Sequence, residues 1–159
     1  IKFDRIVSVG MFCHVGYKNY KRFFESARQC LNDDGLFLLH CIGNNMSTTA
    51  GDPWIDKYIF HGGMLASPKQ VLQSSESLFF LEDFHNFGYS YHKTTAEWLK
   101  RSKQFFASEQ NQNYDIRFQR MWEYYLAMCA ASFKKRQIQL FQYLLSPRGT
   151  QRCGITRVV

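Results

Sequence analysis

Cys13, His14, His40 and Ile42 are the residues placed where chemistry would be expected. Each follows a short apolar run. Phe3–Val9 leads into Gly10-Met11-Phe12-Cys13-His14-Val15-Gly16, and Leu36–Leu39 leads into His40-Cys41-Ile42-Gly43. A thiol and two imidazoles at such positions could act as nucleophile, general base or anion ligand. Read singly, each has a plainer role: Cys13 as a small buried thiol, His40 as a structural histidine. No G-x-S-x-G elbow or established Cys/His spacing is present. Glu82-Asp83 beside His85 has the residue types of a metal site, but H-E-x-x-H spacing is missing, and no metal site is expected.

The elements that position these residues follow from hydrophobic patterning. Tyr20, Phe23, Phe24, Ala27 and Leu31 recur at i, i+3, i+4, i+7 and i+11, one face of a helix. Strand, helix, strand with apolar strands predicts a parallel sheet covered by helices on both sides. Ligands of such sheets bind beyond the carboxyl ends of the strands. Ser67-Pro68-Lys69-Gln70 combines an N-cap, a first-turn proline and a capping-box glutamine, predicting a helix to about Ser74. Between them, Asn44–Asp52 reads as a loop and Pro53–Phe60 as an aromatic stretch without period.

Ser77–Phe84 reads as a strand, and Thr94 with Glu97 as the start of a helix carrying Trp98, Leu99, Phe105 and Phe106. After the polar stretch Ser108–Asn113, the stripe Phe118, Met121, Trp122, Tyr125, Leu126, Cys129 and Phe133 predicts a second long helix. Ile138–Leu145 reads as the last strand. Two long helices thus separate the last two strands, an insertion suited to a lid. Residues 1–146 are expected to form part of one domain, with 147–159 an exposed basic tail.

Composition narrows the class. A 159-residue chain with 45% hydrophobic and 21% charged residues is globular. Its 15 Phe and 9 Tyr suit either a bulky core or an aromatic pocket. Five Cys without C-x-x-C spacing argue for reduced thiols and against a zinc site or disulfide framework. The formal net charge of +7 favours an anionic partner, either nucleic acid or an acidic bilayer. Nucleic acid is disfavoured because the aromatics lie on helix stripes and do not alternate with Lys and Arg. Neither G-x-G-x-x-G nor G-x-x-x-x-G-K-[ST] occurs. With Ile at position 1, the chain reads as the carboxyl-terminal half of a larger nucleotide-type α/β domain.

Several runs together carry a family resemblance. They are Phe3–Phe12 with His14-Val15-Gly16, Phe37–His40 with Ile42-Gly43, and Asp52-Pro53-Trp54-Ile55 with Lys57–Phe60. Glu82-Asp83, His85–Gly88, Tyr91, Arg117-Phe118, Arg120-Met121, Tyr124–Leu126 and Ile138–Leu140 continue them in order. In these the chain strongly resembles the cyclopropane-fatty-acyl-phospholipid synthases and mycolic acid cyclopropane synthases. The resemblance implies the carboxyl-terminal half of a Rossmann-like methyltransferase sheet, with two long helices inserted before a final antiparallel strand. It also implies S-adenosylmethionine as cofactor, held by residues expected upstream of Ile1, and transfer of a methyl(ene) group to a cis double bond of a phospholipid acyl chain.

Bicarbonate is the implied base, held by the main-chain amides of His40 and Ile42 and by the Tyr91 hydroxyl. Cys13 stands where the family motif has Glu, so Cys13 and Tyr91 are the expected catalytic positions. A thiol is a weak donor and acceptor and does not replace a carboxylate one for one. Two rivals follow: a catalytically impaired lipid-binding homologue, or a relative whose products are methyl-branched or hydroxylated. The expected partners are phospholipid acyl chains at an anionic membrane surface and, for the protein, a homodimer. The expected location is cytoplasmic, peripheral to the inner face of the membrane.

Overall fold

The computed structural model describes residues 1–108 and 113–151. They form two compact units, one of Ile1–Asn86 with the chain from Leu140 onward, the other Phe87–Gln139.

The first unit is built on a four-stranded sheet of order β1-β2-β4-β3. The strands are β1 (Phe3–Val9), β2 (Leu31–Asn44), β3 (Phe79–Asn86) and β4 (Ile138–Pro147). β1 and β2 are parallel, with Val7 opposite Leu38 and Val9 opposite His40. β4 runs antiparallel to β3, which gives the expected antiparallel last strand. Helix α1 (Tyr20–Cys30) and helix α3 (Pro68–Ser75) cover one face of the sheet. Phe24, Phe37, Leu39, Val71 and Tyr143 are fully enclosed there, and edge-on ring contacts such as Phe24–Phe37 at 6.3 Å fill the space. Side chains directly opposite across paired strands share a face. Val7 and Val9 therefore share theirs with Leu38 and His40, and both valines are more than half exposed. The expectation of a β1 covered on both faces is corrected: among the described residues, its second face stays open.

The start of α3 matches its motif in full. Ser67 Oγ accepts from the Gln70 N–H at 3.2 Å and Gln70 Oε1 accepts from the Ser67 N–H at 3.0 Å. Several sequence expectations are revised. Leu31 opens β2 and does not extend α1, and β2 continues through His40–Gly43, so those residues lie within the strand and not beyond it. Residues 53–58 form a short helix, α2 (Pro53–Tyr58), because Asp52 accepts from the Trp54 and Ile55 N–H groups and Pro53 occupies the first turn. At the carboxyl end, Pro147 is buried in β4 and Arg148 is bound to the Leu78 and Glu76 carbonyls. Of the expected basic tail, residues 152–159 lie outside the described residues.

The second unit is a helical hairpin of α4 (Gly88–Phe106) and α5 (Ile116–Lys134). α5 begins where Asp115 accepts from the Phe118 N–H at 2.7 Å, and it buries Leu126 and Phe133 as its stripe predicts. α4 starts at Gly88, six residues before the expected Thr94 start. The Tyr91 N–H already donates to Phe87 O, and Thr95 Oγ1 donates back to Tyr91 and His92. Thr94 and Glu97 are therefore interior positions, and Glu97 pairs with Arg101 at 2.9 Å.

Candidate functional site

The parallel pairing of β1 with β2 sets the first part of the site. As β1 ends, the Gly10 N–H donates to the His40 carbonyl at 3.0 Å. Gly10 has φ +73°, a conformation natural to glycine, and it turns the chain into the short helical turn Phe12–His14. The Cys13 carbonyl accepts from Met64 N–H at 2.8 Å, which ties this turn to the loop before α3. Cys13 follows the end of β1, and His40 and Ile42 lie on β2 where β1 stops.

Cys13 is half-buried, and its Sγ–H donates to the Gly10 carbonyl at 3.2 Å. Burial pushes its pKa up, against a smaller downward pull from its backbone hydrogen bond. The group is a neutral thiol turned toward its own backbone. It offers no negative charge and little acceptor strength.

His40 is half-buried on β2, and its Nδ1 lies 3.4 Å from Gln142 Oε1 on β4. Gln142 was not singled out by sequence reasoning; the only signal was a polar residue inside the apolar run Ile138–Leu145. Glu82, weighed with Asp83 and His85 for metal binding, instead accepts a hydrogen bond from Ser146 Oγ. At Gly43, just past Ile42, a Cβ would come within 2.6 Å of both the Ala66 carbonyl oxygen and the Phe141 ring, so only glycine fits. Behind the strand ends, Tyr20 and Tyr143 are buried, with no hydrogen-bond partner for their hydroxyls among the described residues. Cys41 is buried with them and its pKa is pushed up to about 12, chiefly by burial and secondly by Cys13.

Tyr91 belongs to the helical unit. Its ring packs edge-on against Phe133 at 5.0 Å and Trp98 at 5.9 Å. Burial, with a smaller contribution from Cys129, raises its pKa, so the hydroxyl remains a proton donor well above neutral pH. Sequence reasoning missed Trp98 and Phe133 as the residues that hold this ring.

A nucleoside cofactor in such a sheet needs a carboxylate at a strand end for its ribose hydroxyls. β1 and β2 end without one, Asp52 caps α2, and Asp56 Oδ1 accepts from the Gly62 N–H at 2.7 Å. These residues alone do not fit the cofactor.

The sequence model of the family described as mycolic acid cyclopropane synthetase matches residues 1–143. The chain belongs to that family. It is 49% identical over 152 residues to the cyclopropane-fatty-acyl-phospholipid synthase of Escherichia coli (strain K12), covering 94% of this chain and 39% of that protein. The cyclopropane synthase MmaA2 from Mycobacterium tuberculosis superimposes with a TM-score of 0.82 at 26% identity, over 91% of this chain and 55% of that structure. Mycolic acid cyclopropane synthase CmaA1, in complex with SAH and CTAB, gives 0.77 at 27% identity over the same shares. The fold is therefore the Rossmann-like α/β fold of the S-adenosylmethionine-dependent methyltransferases, and the chain spans well under half the length of the Escherichia coli family member.

Proposed function

We propose that this chain is the base-holding and acyl-binding part of an enzyme that transfers a methyl(ene) group from S-adenosylmethionine to a cis double bond of a phospholipid acyl chain, forming a cyclopropane ring. The observation that carries this reading is the 49% identity over 94% of the chain to a cyclopropane-fatty-acyl-phospholipid synthase. The SAH bound in the CmaA1 structure supports the cofactor. S-adenosylmethionine, held by residues outside this chain, supplies the added carbon.

The chain's own task is then to manage a proton. Ring closure releases one from the added carbon, and a base must stand within hydrogen-bond reach to take it. A bicarbonate held by the His40 and Ile42 amides and the Tyr91 hydroxyl fills that role in this reading. His40 and Ile42 at the sheet's end and a Tyr91 hydroxyl kept protonated by burial suit an anion. Amide and hydroxyl donors aimed at an anion in a water-poor site are worth more than in water.

The second reading, a catalytically impaired lipid-binding homologue, is favoured by Cys13, whose thiol donates to Gly10 and leaves the anion without a carboxylate partner. The net charge of +7 supports contact with an anionic membrane surface, in keeping with a peripheral position on its cytoplasmic side. No helix among the described residues is long and apolar enough to cross a membrane.

The test is a chimera. The part of the Escherichia coli synthase that this chain does not cover is joined to residues 1–159 and produced in cells lacking their own synthase. Lipid mass spectrometry should show acyl chains one methylene heavier and carrying a ring. Unmodified lipids from a folded chimera that still binds vesicles would favour the impaired homologue.

A further inference from the structure

The end of the helical hairpin carries a surface that the proposed chemistry does not use. Phe105 and Phe106 at the close of α4 meet Tyr114 just before α5, each at 6.1 Å. Tyr114 stacks on Phe118 at 4.7 Å, and Phe118 lies nearly parallel to Trp122 at 6.0 Å. With Arg101 these rings line a groove of about 450 Å³. Of the lining rings, Tyr114 is 44% and Phe105 38% exposed, and Ile116, in the first turn of α5, is 61% exposed. Arg101 lines it, and Lys100, Lys103, Arg117 and Arg120 are exposed on the same stretches of α4 and α5. Among the described residues from Glu97 to Arg120 there are two acids, and both are engaged. Glu97 pairs with Arg101, and Asp115 caps α5.

We propose that this end of the hairpin is the element that docks on an anionic phospholipid bilayer, with Phe105, Tyr114 and Ile116 entering the headgroup region and Lys103, Arg117 and Arg120 contacting lipid phosphates. Three features point to a bilayer. Aromatic and branched apolar side chains ringed by Lys and Arg are the composition of interfacial helices, where rings occupy the headgroup level. The basic side chains can lay their alkyl stems along the rings while their charged ends reach phosphate. The ring faces are also largely spent on one another, Tyr114 on Phe118 and Phe118 on Trp122, so they are poorly placed to stack nucleic-acid bases. The inference deepens the proposed function, because an enzyme acting on acyl chains within a bilayer must first reach one.

The test uses the whole chain and vesicles of phosphatidylcholine with or without phosphatidylglycerol. Binding should require phosphatidylglycerol and fall with added salt. Neutralising Lys103→Gln, Arg117→Gln and Arg120→Gln together should lower the partition coefficient about a hundredfold, at roughly fivefold per cation. Neutralising Lys134→Gln, Lys135→Gln and Arg136→Gln at the far end of α5 should change it by much less. The pair Tyr114→Ser and Ile116→Ser should weaken binding while circular dichroism and thermal melting confirm the fold. In a Trp54→Phe, Trp98→Phe background, brominated acyl chains should quench Trp122. Equal losses from the two triple variants, no quenching of Trp122, or retention by single-stranded oligonucleotide without retention by vesicles would overturn the proposal. Vesicle binding needs no catalysis. A chimera that makes cyclopropane lipid without using this surface leaves the proposed function standing and removes the docking site, and hairpin-dependent binding without product does the reverse.

Discussion

The Cys13 Sγ–H points back at the Gly10 carbonyl, 3.2 Å away, closing a small loop over the end of β1. Burial holds this thiol protonated beyond its ordinary range. The thiolate is the reactive form, so Cys13 should react slowly at neutral pH. Peptide mapping after brief exposure to a thiol-specific reagent should find Cys30, which is exposed, labelled at least about tenfold faster than Cys13. Labelling of Cys13 should go on accelerating with pH beyond the range in which an ordinary thiol has already ionised. Faster labelling of Cys13 than of Cys30 at neutral pH would contradict the inward-facing, neutral thiol.

The same burial makes the sheet unit sensitive to alkali. Cys41 and Tyr20 are each pushed up to about 12, chiefly by burial, and Tyr143 is raised by the same cause. The unfolded chain gives up the Cys41 proton near pH 9, while the folded chain holds it to about 12. Stability from this group is therefore fully present below about pH 9 and is lost as pH rises from there toward 12, at up to about 1.4 kcal/mol per pH unit. Urea midpoints measured across this range should fall with pH. In Cys41→Val the decline should be shallower, whatever the starting stability. An unchanged slope would mean that Cys41 ionises freely in the folded chain.

How far these properties were legible in the sequence differs by element. The stripe of α5 and the Ser67–Gln70 capping box could be read directly, because each is a local pattern with one physical outcome. α2 could not be read from periodicity, since six residues make too short a helix to show one; its signal was Asp52-Pro53 at the entrance. The Thr94–Glu97 motif misled because a capping pair acts only where backbone N–H groups are unpaired, and α4 was already under way from Gly88. At the site, the parallel pairing of β1 with β2, which sets Val9 opposite His40, followed from strand–helix–strand order alone. The contact of His40 with Gln142 did not, because it depends on β4, far away in sequence, lying beside β2.

Tyr91 offers a test of the anion site that leaves packing nearly intact. Its ring is fixed by Phe133 and Trp98, and Phe would preserve both contacts. In the chimera, Tyr91→Phe removes one donor to the proposed bicarbonate and should slow ring formation by about 10²-fold, the scale for one lost donor to a developing or bound anion. Vesicle binding and thermal stability should stay near those of the parent. Product formation at the parental rate would detach Tyr91 from the anion site.

Cys13→Glu decides how much of the chemistry this chain retains. A glutamate there could accept the proton of bicarbonate and fix its orientation through a charge-assisted bond, roughly twice as strong as a neutral one. The half-buried thiol, committed to Gly10, does neither. General bases contribute about 10²–10⁴-fold to rate, and a badly oriented base forfeits part of that. The Cys13→Glu chimera should therefore form cyclopropane lipid markedly faster than the Cys13 chimera, with vesicle binding unchanged. Formation of the first carbon–carbon bond needs no base; a cation that is not closed by loss of a proton from the added carbon captures water, which adds a hydroxyl and gives a proton to solvent, so the Cys13 form should also release methylated, hydroxylated acyl chains in place of rings. If the two forms give equal ring yields and no unclosed product, the carboxylate is dispensable at this position.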